Sequence, residues 1–247
     1  MSGLDWLTAR PVAHRGLHDT ASGVIENTPA AFAAAVAAGY GIECDIQITA
    51  DGEAMVYHDD ALGRLTEGSG RLDALTSAEL RGVPFKATAD RMISLGDLCD
   101  LVAGRVTLLI ELKRPRVDDG RLPRRAAKVL SGYAGGAALM SFDPGQIAPL
   151  RSCAPKLTRG LVAEGRSARA AGDAWGNRLG TALAYGRDAL RSKPQFLAYS
   201  VRDLPSALPS ATRLWGMPVL TWTVRSAEDR QRAARWADQM IFEGFRP

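Results

Sequence analysis

The chain has 247 residues, so it is long enough to bury a large core. It has three cysteines, and this odd, sparse count argues against a disulfide framework and favours a reducing compartment. No basic start leads into an apolar segment and no apolar run has membrane-spanning length, so we expect a cytoplasmic protein without stable membrane insertion. Residues 1–123 carry 12 Lys and Arg against 18 Asp and Glu, whereas residues 124–247 carry 19 against 9, but the basic residues are scattered without interleaved aromatics, which argues against a nucleic-acid partner.

The first predicted elements are a strand at 11–14 and an alanine-rich helix. Thr28 is a typical helix cap, and Pro29 occupies the first helical position, where its missing N–H costs nothing. Gly39 is expected to end the helix because glycine readily adopts the left-handed conformation that follows a last turn. A second strand follows directly.

That second strand, at 41–47, carries two acids inside an apolar run. Alternate side chains of a strand point to opposite faces, so Glu43 and Asp45 share one face, roughly 7 Å apart along the backbone. The other face holds the apolar side chains of Ile42, Cys44 and Ile46. Two buried carboxylates repel each other and lose hydration, so they need a compensating positive charge.

The next segment, 53–94, is unusually long for a single strand-to-helix connection. It starts with a short strand at 53–58, and Thr76 with Glu79 forms a capping box for a short helix. The glycine-rich stretch at 67–70 is a typical loop tip. We therefore predict a small insertion at about 53–94, after the second strand.

The strand predicted at 106–112 repeats the arrangement, with Glu111 and Lys113 at its carboxyl end. Together with Glu43 and Asp45, Glu111 completes a set of three carboxylates, which suits a hard divalent cation, Mg²⁺ or Ca²⁺. The alternative is that the acids form buried ion pairs with the nearby cationic residues Arg15 and Lys113. A second acid-bearing strand end favours the metal site.

Strand-like and helix-like segments alternate through the rest of the chain. Further strands are predicted at 137–141, 158–162, 196–200, 218–223 and 239–242, and further helices at 95–103, 121–131, 145–152, 179–190, 204–214 and 226–235. Eight such units in this length are typical of an α/β (β/α)₈ TIM barrel. The competing open sheet is disfavoured because no glycine-rich phosphate fingerprint follows the first strand. We predict one catalytic domain over residues 1–247.

The chain has only three histidines, and two of them flank the acids. His14 ends the first strand, and His58 ends the strand that follows the carboxylate pair. Both therefore fall at the rim where such barrels place their active sites, and histidines can divide acid and base roles near neutral pH. His18 lies beyond the strand end and is expected to be a solvated loop residue.

These motifs together resemble the glycerophosphodiester phosphodiesterase family. The matching pieces, in order, are HRG (14–16), ENT (26–28), ECD (43–45), HDD (58–60), RLTEGSG (64–70), TSAEL (76–80), ELK (111–113) and SFDP (141–144), with a looser match at TWTV (221–224). The ordered set spans essentially the whole chain.

The resemblance implies metal-dependent hydrolysis of small glycerophosphodiesters to glycerol 3-phosphate and an alcohol. It implies that the catalytic acid/base pair is His14 and His58, and that the metal ligands are Glu43, Asp45 and Glu111. By the same resemblance, Arg15 and Lys113 hold the phosphate and Glu26 lies at the rim. Trp222 is a further candidate for the wall of the glycerol pocket, although a purely structural core position fits it equally well.

Two positions depart from the family pattern. Arg225 stands where an asparagine is usual after the seventh strand, and Glu243 replaces the threonine–aspartate pair that usually ends the last strand. These changes leave the core motifs untouched and bear on headgroup recognition and closure of the barrel. The loop at 164–180 is a candidate for the headgroup pocket.

Two other functions remain open from the sequence. A lysophospholipase D-like phosphodiesterase would use the same site but needs an apolar groove, for which no clear insertion exists. A non-catalytic binder of anionic polymers or membrane surfaces would use the basic second half and would not depend on the histidines. Headgroup preference and oligomeric state stay open.

Overall fold

A computed structural model describes residues 3–165 and 185–247, which build a closed barrel of parallel strands. The strands are β1 (Val12–Ala13), β2 (Gly41–Ile48), β3 (Ala54–Val56), β4 (Leu108–Leu112), β5 (Ala137–Ser141), β6 (Thr158–Ala163), β7 (Phe196–Ser200), β8 (Val219–Val224) and β9 (Gln239–Phe242). Strand β1 pairs with both β2 and β9, and this double pairing closes the sheet. Strand β3 is the exception and runs antiparallel along the edge of β2. The predicted (β/α)₈ barrel is confirmed.

The alternation of side chains along β2 produces two separate cores. The outward-facing residues Ile42, Cys44 and Ile46 belong to the larger core, between the sheet and the helices, where they join Phe32 and Ala35 of the first long helix. The inward-facing apolar residues of the barrel form a second core. Its buried members are Leu7, Val12, Leu109, Ala138, Met140, Val162, Phe196, Ala198, Leu220 and Ile241. Cys44 is therefore a packed core residue, as predicted from its position.

The register between β2 and β4 brings the acids together. Asp45 lies directly opposite Glu111, and Glu43 lies opposite Leu109 in this parallel pair. Residues that are opposite in a parallel sheet point to the same side. Glu43, Asp45 and Glu111 therefore all face the inside of the barrel, above the apolar layer that fills its lower part.

Most helices cover the outside of the barrel, whereas the first contributes Leu7 to the inner core and Ser77–Gly82 belongs to the insertion. The helices span Asp5–Thr8, Pro29–Ala38, Ser77–Gly82, Leu95–Val102, Arg121–Leu130, Pro144–Ile147, Leu150–Cys153, 185–192, Ala207–Leu214 and Ala227–Trp236. Thr28 caps the second of them, and Gly39 follows it with φ 72°, both as predicted. None of the helices in the described ranges combines the length and apolar character needed to cross a bilayer.

Prolines explain two differences from the predicted helices. The helix expected at 145–152 is split into two short helices at Pro149, because proline has no N–H to continue the hydrogen-bond ladder. The helix expected at 204–214 begins only at Ala207, since Pro205 disfavours helical geometry in the residue before it. The prediction at 179–190 falls partly outside the described residues, and 185–192 is helical.

The segment that follows β3 packs around an apolar cluster of its own. This cluster combines Met55 of β3 and Ile25 with residues of the insertion, namely Tyr57, Leu62, Leu72, Leu80, Phe85 and Met92. The predicted capping box is present, with Thr76 and Glu79 each bonded to the other's backbone N–H. The insertion is thus anchored through β3 beside the carboxyl end of β2.

Candidate active site

A cavity of about 200 Å³ opens at the carboxyl ends of the strands. All the predicted site residues except Glu26 line it. Its lining residues are His14, Arg15, Glu43, Asp45, His58, Glu111, Lys113, Met140, Phe142, Val162, Trp222, Thr223, Arg225 and Ile241. One cavity therefore brings together residues of six motifs that are scattered over the chain, namely HRG, ECD, HDD, ELK, SFDP and TWTV.

Three buried carboxylates form the floor of this cavity. Glu43 and Asp45 are each 2% exposed and Glu111 is 9% exposed, and one oxygen from each residue lies within 4.8 Å of the others. Burial and the neighbouring carboxylates raise the pKa of Glu43 well above its ordinary value. Burial and then Asp45 likewise raise the pKa of Glu111 to about 7. Fully ionised, the three carboxylates would carry more negative charge than their surroundings stabilise.

Cationic side chains compensate only part of this charge. Lys113 Nζ lies 2.9 Å from Glu111 Oε1 and 3.5 Å from Asp45 Oδ1, and Arg15 Nε lies 3.3 Å from Asp45 Oδ2. Burial opposes ionisation of Asp45, but Lys113 and Arg15 outweigh it, so the pKa of Asp45 lies below its ordinary value. An all-oxygen set of three buried carboxylates fits a hard divalent cation. The residues present therefore suit a divalent cation.

A sharp turn places Arg15 over the cluster. Arg15 and Gly16 both have positive φ, 56° and 81°, and a side chain at Gly16 would come within 2.9 Å of the backbone of Ala31. The turn directs the Arg15 N–H to Glu43 Oε2 at 2.9 Å. The HRG motif therefore needs its glycine for close packing as well as for conformation.

Asn27 is a buried site residue for which the sequence analysis predicted no role. Its side-chain amide donates to Asp45 Oδ2 at 3.0 Å, and it is 2% exposed with φ 55°. A non-glycine residue in this conformation at a buried site needs strong support from its surroundings. The sequence offered one indication of this role, because Asn27 is the middle residue of the ENT motif.

His14 is held by an acid from the opposite end of the chain. Its Nδ1 lies 2.6 Å from Glu243 Oε2, while its Nε2 lies 3.9 Å from Glu43 Oε2. Burial lowers the pKa of His14 more than the hydrogen bond with Glu243 raises it. The ring is therefore neutral near pH 7, with Nε2 turned towards the carboxylate cluster.

His58 is held in a similar way by its neighbour in sequence. Its Nδ1 lies 2.8 Å from Asp59 Oδ1, and Arg64 binds Asp59 through Nε at 2.5 Å and Nη2 at 3.1 Å. Arg64 also reaches Glu26 at 2.7 Å, and Glu26 in turn accepts from Arg15 at 2.7 Å. Glu26 therefore lies at the rim as a bridge between two arginines.

Two aromatic rings form the remaining wall. Trp222 and Phe142 meet edge to face with 5.3 Å between ring centroids. Phe142 is 46% exposed, and the sequence pointed to it only as part of the SFDP motif. The indole N–H of Trp222 is buried and has no hydrogen-bond partner among the described residues. The ring of Trp222 itself lines the cavity.

Two predictions about neighbouring residues have different outcomes. His18, expected in solvent, is half-buried and lies outside the cavity lining, because the turn after His14 folds back on the Pro29–Ala38 helix through the bond from Leu17 N to Ala31 O. The loop at 164–180 lies almost entirely outside the described residues, so its part in a headgroup pocket stays a prediction.

Known proteins match this chain along the whole barrel. The model of the Glycerophosphoryl diester phosphodiesterase family matches residues 14–245. A glycerophosphodiester phosphodiesterase of Caldanaerobacter subterraneus is 31% identical over an alignment of 161 residues. The alignment covers 61% of this chain and 65% of that protein, just under two thirds of the relative's length. Probable glycerophosphodiester phosphodiesterase 1 of Mycobacterium tuberculosis is 28% identical over 244 residues, covering 88% of this chain and 82% of that protein.

A solved structure shares the fold. The structure of an Oleispira antarctica phosphodiesterase, in complex with the product sn-glycerol-3-phosphate, superposes with a TM-score of 0.77 and covers 96% of this chain and 94% of that chain. The two sequences are 20% identical. At this identity the structural similarity shows the shared barrel fold only. Membership of the family rests on the match to the family model.

Proposed function

The chain belongs to the Glycerophosphoryl diester phosphodiesterase family, and from this premise we propose that it is a phosphodiesterase that hydrolyses glycerophosphodiesters to glycerol 3-phosphate and an alcohol. The observation that carries the proposal is the buried cluster of three carboxylates with a histidine at each side. The product bound by the Oleispira antarctica phosphodiesterase agrees with this chemistry.

We propose that Glu43, Asp45 and Glu111 hold a divalent cation, Mg²⁺ or Ca²⁺. Such a cation supplies Lewis-acid stabilisation of the negative charge on the phosphoryl oxygens. Arg15 and Lys113, which face the same cluster, bind the phosphate and share in that stabilisation. Both arginine and lysine stay protonated here, because burial lowers the pKa of each less than the surrounding carboxylates raise it.

His14 is the general base in this proposal, and His58 is the general acid. His14 is neutral because of its burial, and its Nε2 faces the cavity, so it takes the proton from the attacking hydroxyl. That hydroxyl is either the neighbouring one of glycerol or a water molecule. His58 is more exposed and adjoins an acid, and it gives a proton to the departing alcohol. Trp222, whose ring lines the cavity, forms part of the wall of the glycerol pocket.

The experiment is a hydrolysis assay on a panel of glycerophosphodiesters with and without chelator, measuring glycerol 3-phosphate. We expect product only with Mg²⁺ or Ca²⁺, and loss of turnover for Glu111→Gln, which keeps the shape of the ligand but removes its charge. Glu228→Gln is the matched control, since that carboxylate is 81% exposed and pairs with Arg232 on the outer Ala227–Trp236 helix. Full turnover in chelator would exclude the metal site.

The same panel distinguishes the two other functions. Release of choline from a lysophospholipid, but not from a water-soluble glycerophosphodiester, would indicate a lysophospholipase D-like enzyme. Binding to anionic vesicles that survives His14→Ala, in a protein without turnover, would indicate a non-catalytic binder. We further propose that residues 1–247 act as one catalytic domain. We also propose that this domain acts in the cytoplasm, where the three free cysteines stay reduced.

A further inference from the structure

The two positions that depart from the family pattern lie in contact with each other. Arg225, after β8, binds Glu243, after β9, through Nε at 3.1 Å and Nη2 at 2.9 Å. Such a two-pronged pair orients a carboxylate more strictly than a single contact. The oxygen that Arg225 Nη2 binds, Glu243 Oε2, is also the one that contacts His14.

Glu243 is ionised and therefore acts as an acceptor. Burial raises its pKa, but the hydrogen bond from His14 and the ion pair with Arg225 outweigh burial, and the pKa lies below its ordinary value. A carboxylate accepts only, so the proton of the 2.6 Å contact belongs to Nδ1 of His14. The other ring nitrogen, Nε2, then has a free lone pair.

We propose that Glu243, itself oriented by Arg225, is a positioning residue that holds His14 as the tautomer protonated at Nδ1, with Nε2 facing the reacting phosphodiester. The proposal rests on the proposed role of His14 as general base. At 3.9 Å from Glu43 Oε2, Nε2 is outside hydrogen-bond range of the nearest carboxylate and is free to accept a proton. Carboxylates orient catalytic histidines in this way in other enzymes.

The backbone of His14 is held independently of Glu243. Its N–H donates to Phe242 O at 2.9 Å, and β1 is paired on both sides through Val12 and Ala13. Loss of the Glu243 charge therefore frees the imidazole ring and leaves the strand in place. Consequently the effect of a substitution falls on turnover rather than on folding.

The first test compares Glu243→Gln with Glu228→Gln in the holoenzyme. For Glu243→Gln we expect kcat to fall about 10- to 100-fold, the usual effect of removing the partner that orients an active-site ligand. KM and the cation-induced rise in Tm should stay within about twofold of wild type, since the phosphate and metal residues are untouched. Glu228→Gln should change none of these. An unchanged kcat for Glu243→Gln would overturn the proposal.

The second test repeats the substitution in a His14→Ala background. If Glu243 acts only through the imidazole, Glu243→Gln should cause no further loss of kcat there, so the two effects are fully non-additive. Independent, multiplying losses would overturn the positioning role. Arg225→Ala should lower kcat by less than about fivefold in wild type, because its side chain is 46% exposed and exposed pairs are weak.

A third measurement does not need any substrate. Nitrogen-15 NMR of the imidazole rings should find His14 protonated at Nδ1 in the wild-type protein, and a mixture of tautomers in Glu243→Gln. A wild-type ring protonated at Nε2 alone would overturn the inference. If instead no glycerophosphodiester were hydrolysed while the ring showed the expected tautomer, the proposed function would fail and the positioning of His14 would stand.

Discussion

Both histidines of the cavity are oriented by a carboxylate that an arginine binds, but the two carboxylates come from different parts of the chain. Each ring presents Nδ1 to a carboxylate, and each carboxylate is bound by an arginine. For His58 the acid is Asp59, the next residue, whereas for His14 it is Glu243, 229 positions away in the chain. One unit is a local motif, and the other exists only because the barrel closes.

The two units also differ in their contact with water. The side chain of His14 is 13% exposed and that of His58 is 31% exposed. A hydrogen bond from a ring to a carboxylate is stronger where solvent is excluded from it. The comparison therefore predicts that the long-range unit at His14 is the more sensitive of the two to loss of its acid.

The largest expected effects come from removing the rings themselves. His14→Ala and His58→Ala should each lower turnover by roughly 10²- to 10⁴-fold, the usual contribution of a positioned acid or base. A substrate with a good leaving group, such as a nitrophenyl phosphodiester, needs little protonation on departure. His58→Ala should therefore lose less on that substrate than on a choline ester, and His14→Ala should lose equally on both.

Kinetics of the three single histidine variants on both substrates check this division of roles. His18→Ala is the control, since His18 lies outside the cavity lining, and it should keep near-wild-type turnover. Identical responses of the His14 and His58 variants to the leaving group would contradict the assignment of acid and base.

Removal of the local acid should have a smaller effect. Asp59→Asn leaves His58 with a neutral neighbour, and because this unit is more exposed we expect kcat to fall by about tenfold or less, at the low end of the range for such partners. Asp73→Asn is the matched control, as Asp73 pairs with Arg71 away from the cavity. A loss larger than that of Glu243→Gln would reverse the predicted ranking.

The pH dependence of the free energy of unfolding should have opposite signs for the carboxylates of the cavity floor and for Asp59, the acid beside His58. Glu43 and Glu111 have raised pKa values, so the folded, metal-free state binds protons more tightly than the unfolded state. The free energy of unfolding of the metal-free protein should therefore fall as the pH rises from the ordinary carboxyl range to about 7. Burial raises the pKa of Asp59, but the hydrogen bonds with Arg64 and His58 lower it by more, so the pKa lies below its ordinary value. Its contribution is therefore present above the ordinary pKa and is lost in acid.

Thermal unfolding between pH 5 and pH 8 measures the first of these effects. Because a bound cation replaces the protons on Glu43 and Glu111, the rise in Tm caused by Mg²⁺ or Ca²⁺ should be larger at pH 8 than at pH 5. Glu111→Gln should reduce this pH dependence. A cation effect that is equal at both pH values would contradict the raised pKa values.

The smallest effect is expected at the arginine of the local unit. Arg64 is 47% exposed, so Arg64→Ala should lower the free energy of unfolding by no more than about 1 kcal/mol. Chemical denaturation measures this change, with Arg71→Ala as control because Arg71 is also an exposed partner of an aspartate. A loss of several kcal/mol would mean that Arg64, through Glu26 and Asp59, anchors the insertion to the barrel.

The sequence by itself determined the barrel and the floor of the cavity. The two-residue period of a strand is a local property, so it already places Glu43 and Asp45 on one face and Cys44 on the other. The repeated alternation of strand and helix indicates a barrel, and a barrel brings the carboxyl ends of all strands to one rim. His14, His58 and Glu111 were therefore predictable as neighbours without coordinates.

Only the tertiary structure decided which acid orients which histidine. Asp59 is visible beside His58 in the HDD motif, but nothing local connects Glu243 or Arg225 with His14. Their contact requires the pairing of β1 with β9, and that pairing is formed only when the sheet closes. Asn27 and Phe142 became site residues for the same reason, because loops from separate strands meet at the rim. Periodicity specifies the face on which a side chain lies, whereas the closed sheet specifies the partner it meets there.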